Sequence, residues 1–289
     1  MKKIAYGLLL MLLPVCVKAQ QAERMVYSIK DADTLWIDHY KPTASANGMS
    51  VLFVHGGAFT GGDPSNQTPL AEGLNKLGYR VFVMKYRLYL KGKSFGCETA
   101  TPEKLKAIRI AIEDAENATA YLATHFKDLD VDTTKLFLTG SSAGAETVLN
   151  LVWNPFKPKK DTSSPKFKYA GVLSFSGALL DLTRLKNAPV TPLLMMHGTN
   201  DQLVPFGTDA HRFCNASDNG WLMMFGSSTI YQEMRKKQLP VILYTYEGLG
   251  HEVSNFMFRR FAEMDTFMKA AVNRNVESKS IVIAKQAKD

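Results

Sequence analysis

Short apolar runs rich in β-formers alternate along this chain with longer stretches whose apolar residues recur at helical spacing. Residues 24–29 and 34–40 read as two opening strands with an antiparallel start. Residues 51–55 form a buried run that ends in glycines, and 79–86 form the next. Between them a helix is predicted over 67–77, closed by Gly78. Pro102 suits the first turn of a helix. From 103 to 125 the positions Leu105, Ile108, Ala111, Ile112, Ala115, Ala118, Tyr121 and Leu122 then keep one face apolar. A strand over 135–139 leads into a helix over 143–152, and three further strands are predicted over 170–175, 192–197 and 241–246. An amphipathic helix over 255–271 closes the pattern. The tail after Asn273 is expected to be peripheral, with Ile281-Val282-Ile283 available to dock. Strands alternating with helices in this way predict the α/β class, with a mostly parallel central sheet covered by helices on both faces.

The 289 residues are 46% apolar and 21% charged, the balance of one large globular domain. The beginning reads differently. Lys2 and Lys3, the apolar run 4–13 and the small-residue site Val17-Lys18-Ala19 make residues 1–19 a secretory signal and 20–289 a single domain. A lipid anchor on Cys16 is the alternative, although Val15 is large for the residue before such a cysteine. The apolar run is short for a membrane span, so no stable insertion is expected once the signal is cleaved. Export to the periplasm or beyond is the expected destination. Loss of Lys2, Lys3 and Lys18 lowers the formal charge from +8 to +5, and the remaining basic residues are scattered as a solvated face would be. No nucleic-acid motif is present. Cys97 and Cys214 remain. Both fall in loops after strands, so export favours a disulfide between them, with two buried thiols as the alternative.

Gly140-Ser141-Ser142-Ala143-Gly144 stands directly between a predicted strand and a predicted helix. This is the G-x-S-x-G nucleophile pattern in the context it requires, with Ser142 on a sharp turn between neighbours that must lack bulk. The amide of Ala143 then opens the helix, where negative charge is favoured. His55-Gly56-Gly57-Ala58-Phe59 follows an earlier strand, and the amides of Gly57 and Ala58 are the expected partners of Ala143 in an oxyanion hole. One such donor is worth about 3–4 kcal/mol to a transition state. His55 is expected to shape the loop and not to act as a base.

A serine hydroxyl needs a base, and the base an orienting acid. Asp201 follows the strand over 192–197 within His197-Gly198-Thr199-Asn200-Asp201, and His251 follows the strand over 241–246 within Gly248-Leu249-Gly250-His251-Glu252. Ser142, Asp201 and His251 are therefore the expected catalytic triad. Asp181 and Asp209 are the other acids to weigh. His197 reads as structural, and Glu252 as solvated or a local cap.

These motifs, with Tyr86-Arg87-Leu88, resemble the α/β-hydrolase superfamily over nearly the whole mature chain. Within it they look most like carboxylesterases related to hormone-sensitive lipase and to type-B esterases. The resemblance implies the α/β-hydrolase fold and hydrolysis of carboxylic esters with no metal and no organic cofactor. The chain departs from it in having Ala58 for the third glycine of HGGG, and Ser141 and Ala145 where GDSAGG has acid and glycine. The stretch before the first core strand is also too short for that family's helical cap.

Two loops, 88–101 and 203–228, are the expected pocket walls. The second carries Trp221, Met224 and Phe225 among other large apolar groups, and reads either as a partial lid or acyl-pocket wall beside the triad or as a small packed helix. The expected substrate is a small-molecule or glycan-linked ester with a short or aromatic acyl group. A serine exopeptidase of prolyl-peptidase type is the alternative, and a non-catalytic binding module is a third reading. Oligomeric state is unknown from sequence.

Overall fold

Inward-facing side chains alternate so regularly along the central strands that two cores form, one on each face of a single sheet. The strand Ser50–Val54 sends Leu52 and Val54 to one core and Val51 and Phe53 to the other. Such runs, buried on both faces, mark parallel strands covered by helices. In the computed structural model, which describes residues 22–30, 32–158, 167–186 and 190–284, the chain opens with β1 (Glu23–Lys30), β2 (Asp33–Tyr40) and β3 (Ser50–Val54). It continues through α1 (Thr68–Asn75), β4 (Arg80–Met84), α2 (Thr101–Thr124), β5 (Leu136–Ser141) and α3 (Ala143–Val152). Next come β6 (Gly171–Phe175), β7 (Ala178–Leu179), β8 (Leu193–Gly198), β9 (Thr208–Ala210) and β10 (Met223–Gly226). The last elements are α4 (Ser227–Lys236), β11 (Val241–Tyr246), α5 (Phe261–Val272) and β12 (Lys279–Ile283). The expected signal segment 1–19, with its cleavage site and Cys16, lies outside the described residues, as do residues 159–166 of the stretch after α3.

The nine-stranded sheet has the order β1-β2-β4-β3-β5-β6-β8-β11-β12. The first two pairings, β1 with β2 and β2 with β4, are antiparallel, and the rest are parallel. Helices α2 and α3 cover one face through Ile108, Ile112, Val148 and Leu149. On the other face α1 and α5 bury Leu70, Leu74, Met264 and Phe267. None of the described helices is long and apolar enough to cross a membrane.

Three expectations need correction. The closing helix over 255–271 is two pieces: a 3₁₀ helix over His251–Phe258, then α5. The amides of Arg259 and Arg260 both turn back to the Phe256 carbonyl, at 3.0 and 2.9 Å, and this breaks the helical phase. The tail is not merely peripheral: Ile281-Val282-Ile283 docks as expected, within β12, which adds to the sheet edge in parallel with β11. Residues 203–228 are not a small packed α-helix, and part of the segment walls the cleft. They supply β9 and β10, which join β7 in a separate three-stranded antiparallel sheet of order β7-β10-β9.

Candidate active site

Ser142 occupies the turn between β5 and α3 with φ +52° and ψ −123°, a sparsely populated conformation that costs a non-glycine residue about 1–3 kcal/mol. The surroundings hold it there. Its amide donates to the Phe175 carbonyl at 2.9 Å. The flanking glycines are required by contact. A Cβ on Gly140 would strike the Gly144 carbonyl, and one on Gly144 would strike the carbonyls of Val54 and His55. The turn therefore closes only with hydrogen at both positions.

His251 spans the gap between the serine and the acid. Its Nε2 lies 2.8 Å from Ser142 Oγ and its Nδ1 2.7 Å from Asp201 Oδ2. The histidine starts the 3₁₀ helix after β11, and Asp201 follows β8, so adjacent parallel strands end beside each other and present the pair. The second Asp201 oxygen, Oδ1, accepts from the amides of Leu203 at 2.9 Å and Val204 at 3.0 Å. Burial acts to raise the Asp201 pKa. Hydrogen bonds from His197 and His251 outweigh it and hold the carboxyl well below the usual carboxylate range. The contact with His197, 3.2 Å from its Nε2 to Oδ2, is absent from the sequence reading, where His197 only ends a strand. The other acids stand elsewhere. Asp181 pairs with Arg184 at 3.3 Å, and Asp209 accepts from the Ala210 amide. Glu252 caps its own loop, taking the Gly250 amide at 2.9 Å.

The glycine-rich loop after β3 takes three successive left-handed residues, Gly57 at φ +120°, Ala58 at +53° and Phe59 at +59°. The turn is closed by Thr60 and Gly61, whose amides both donate to the Gly57 carbonyl at 3.0 Å. Among the described residues the amides of Gly57 and Ala58 donate to no backbone carbonyl, and Ala143, first in its helix, has no intrahelical acceptor. All three residues line one cleft with Ser142 and His251. His55 supports the loop from beneath. Its Nδ1 lies 2.7 Å from the Gly56 carbonyl and its ring stacks on Tyr86 at 4.5 Å, while burial pushes its pKa down. Tyr86 donates to the His55 carbonyl at 3.0 Å, and Arg87 clasps Asp114 of α2 at 2.8 Å, so the Tyr86-Arg87-Leu88 motif anchors this loop to the core.

The cleft has a volume of about 350 Å³. Trp221, Met224 and Phe225 do not line it. Met224 is fully buried in the core under β10, Phe225 packs against that core from the opposite side of the strand, and Trp221 is 41% exposed. The expected walls contribute other residues: Phe95 from the first, and Leu203, Val204, His211 and Arg212 from the second. Glu146 joins them, its carboxylate 3.0 Å from His211 Nε2. Glu146 was legible in principle, since it lies one turn beyond Ser142 on the same helix face. Nothing local marks His211. Cys97 and Cys214 are bonded, with Cα atoms 5.3 Å apart, and the bridge ties the two walls together. Beside it the fully buried Lys104 donates to the Gly220 carbonyl at 2.6 Å, and burial pushes its pKa down.

No curated protein sequence is a match. Among solved structures, esterase 2 of Thermogutta terrifontis phosphorylated by paraoxon is similar with a TM-score of 0.65 and 19% identity, covering 91% of this chain and 98% of that one. The same enzyme bound to propionate gives 0.63 and 18%, covering 91% and 98%. Phosphoramylated by tabun, it gives 0.64 and 18%, covering 92% and 100%. These likenesses establish the α/β-hydrolase fold. The sequence pattern of the BD-FAE family matches residues 37–189, more than half of the chain. The chain belongs to the BD-FAE family of α/β-hydrolase-like esterases.

Proposed function

We propose that the protein is an exported serine esterase that hydrolyses carboxylic esters of short or aromatic acyl groups, carried on small molecules or glycans. Ser142 is its nucleophile, His251 its base and Asp201 its orienting acid. The observation that carries this reading is the single imidazole within hydrogen-bond reach of both Ser142 Oγ and Asp201 Oδ2. His251 Nε2 takes the Ser142 proton as Oγ attacks the ester carbonyl, and Asp201 keeps the other ring nitrogen protonated and steadies the imidazolium. The amides of Gly57, Ala58 and Ala143 meet the charge that develops on the carbonyl oxygen. His251 then gives its proton to the leaving alkoxide, and the acyl-enzyme is hydrolysed by water activated at the same nitrogen. The cleft volume supports a short acyl chain or a single ring. The organophosphate adducts and bound propionate named for the Thermogutta enzyme suggest matching probes. The disulfide suits an oxidising compartment, and export predicts a mature protein that begins near Gln20.

The test is a panel of para-nitrophenyl esters graded by acyl length, with feruloyl and acetyl-sugar esters and an Xaa-Pro amide alongside. Activity is expected on acetate to butyrate, with loss of turnover in Ser142→Ala and paraoxon labelling at Ser142. Cleavage of the amide with negligible ester hydrolysis would establish the exopeptidase instead.

A further inference from the structure

Among the buried imidazoles that the triad reading does not use, one touches its acid. His197, next to last in β8, is fully buried. Its Nε2 lies 3.2 Å from Asp201 Oδ2 and 3.2 Å from the Val204 carbonyl, and its Nδ1 lies 2.9 Å from Ser227 Oγ. The edge of the Phe206 ring closes the pocket, with centroids 5.6 Å apart. Asp201 Oδ2 is thus shared between two histidines, while Oδ1 is held by two amides.

We propose that His197 is a positioning residue for the triad, supplying the second donor that fixes Asp201 Oδ2 in the orientation His251 needs. The proposal rests on the triad reading above. Both neighbours of Nε2 are acceptors, so that nitrogen must carry the proton. Ser227 Oγ, fully buried at the start of α4, then donates to Nδ1 and selects that tautomer. A carboxylate held through Oδ1 alone can still rock about its Cβ–Cγ bond and carry Oδ2 off the His251 axis. A donor on Oδ2 that is itself fixed to a helix start removes that freedom. The chain of bonds runs from α4 through Ser227, His197, Asp201 and His251 to Ser142, so a secondary-structure element remote from the cleft sets the geometry at the nucleophile.

The test compares His197→Asn with His197→Gln, each alone and in an Asp201→Asn background, on para-nitrophenyl acetate. The shorter amide keeps a partner for Ser227 but falls short of Asp201, and the longer one reaches it. His197→Asn is expected to lower kcat about 10- to 100-fold with KM within about twofold, and His197→Gln to restore kcat to within about threefold of wild type. In the Asp201→Asn background, His197→Asn is expected to change kcat by less than about twofold, because the group it positions is already impaired. Should His197→Asn fold poorly, Ser227→Ala carries the test, with an expected loss in kcat of about 3- to 10-fold at unchanged KM. Full kcat in His197→Asn, or an equal loss in both backgrounds, would overturn the proposal. Absence of ester hydrolysis in the wild type, or its survival in Ser142→Ala, would instead defeat the functional reading on which the proposal rests.

Discussion

Replacing both Cys97 and Cys214 by alanine probes the bridge that joins the cleft walls. The bond closes a loop of 117 residues, and chain entropy alone makes such a cross-link worth about 5 kcal/mol against the unfolded state. Whether that full value is lost depends on what else holds the two segments together. The Gly220 amide donates to the Cys97 carbonyl at 2.8 Å, Thr101 donates to the Asn219 carbonyl at 2.9 Å, and Lys104 reaches Gly220 at 2.6 Å. These contacts keep the folded geometry without the sulfurs, so the effect falls on the unfolded ensemble. The double variant is expected to lose about 3–5 kcal/mol of stability, and Tm by about 10 °C. Its urea m-value rises as the released chain exposes more surface. Below the melting transition kcat/KM is expected to stay within about threefold of wild type. Urea titration followed by fluorescence of Trp36, Trp153 and Trp221, with ester turnover in parallel, measures all of these. A loss below about 1 kcal/mol with unchanged m would refute the entropic account. Loss of activity in a variant that remains folded would show that the bridge shapes the native cleft itself.

Asp201→Asn is expected to lower kcat by about 10,000-fold, as a wrong His251 tautomer does in serine hydrolases, while Asp181→Asn stays near wild type in the same chromogenic assay. Burial, with Arg80 and Lys41 nearby, pushes the His39 pKa down to about 4. The folded state therefore binds that proton less readily than the unfolded state, and stability falls as pH drops from about 6.5 towards 4, by about 3 kcal/mol in all. His39→Phe is expected to flatten that part of the stability profile in urea titrations, and an unchanged slope would count against His39 as its source. Ala58→Gly relieves a left-handed alanine, so Tm is expected to rise by about 1–3 °C with activity retained, as calorimetry and ester turnover can check.

Much of the scaffold was legible because local pattern and tertiary role coincide there. β3, β4, β5, β8 and β11 are apolar on both faces, and each ends in the loop that carries chemistry or supports it. Ser142, Asp201 and His251 stand where strand ends and flanking glycines predicted them. The misreadings fall where pairing is non-local. Met223-Met224-Phe225 alternates in burial as a strand does, but its partners are Ala178-Leu179 and Thr208–Ala210, and no local spacing reveals those. The predicted closing helix failed for a related reason. Residues 251–258 must first lay Val253, Phe256 and Met257 into the core beneath His251, and that demands a tighter helix than the apolar spacing suggests. The second hydrogen bond of His197 belongs to the same class, since Ser227 is distant in sequence and carries no motif.

The spacing of the proposed triad along the chain also bears on when the protein would become reactive. The bond from His251 to Ser142 spans 109 positions and that to Asp201 spans 50, across strands β5, β8 and β11 with β6 between the first two. The elbow that carries Ser142 is local, yet without its base the hydroxyl is an ordinary alcohol. Contacts this far apart form late, after the loops between them have closed. A partly folded chain would thus carry the Ser142 hydroxyl in an inert form. Hydrolytic power would arise only once three separate strand ends had come into register at the end of folding.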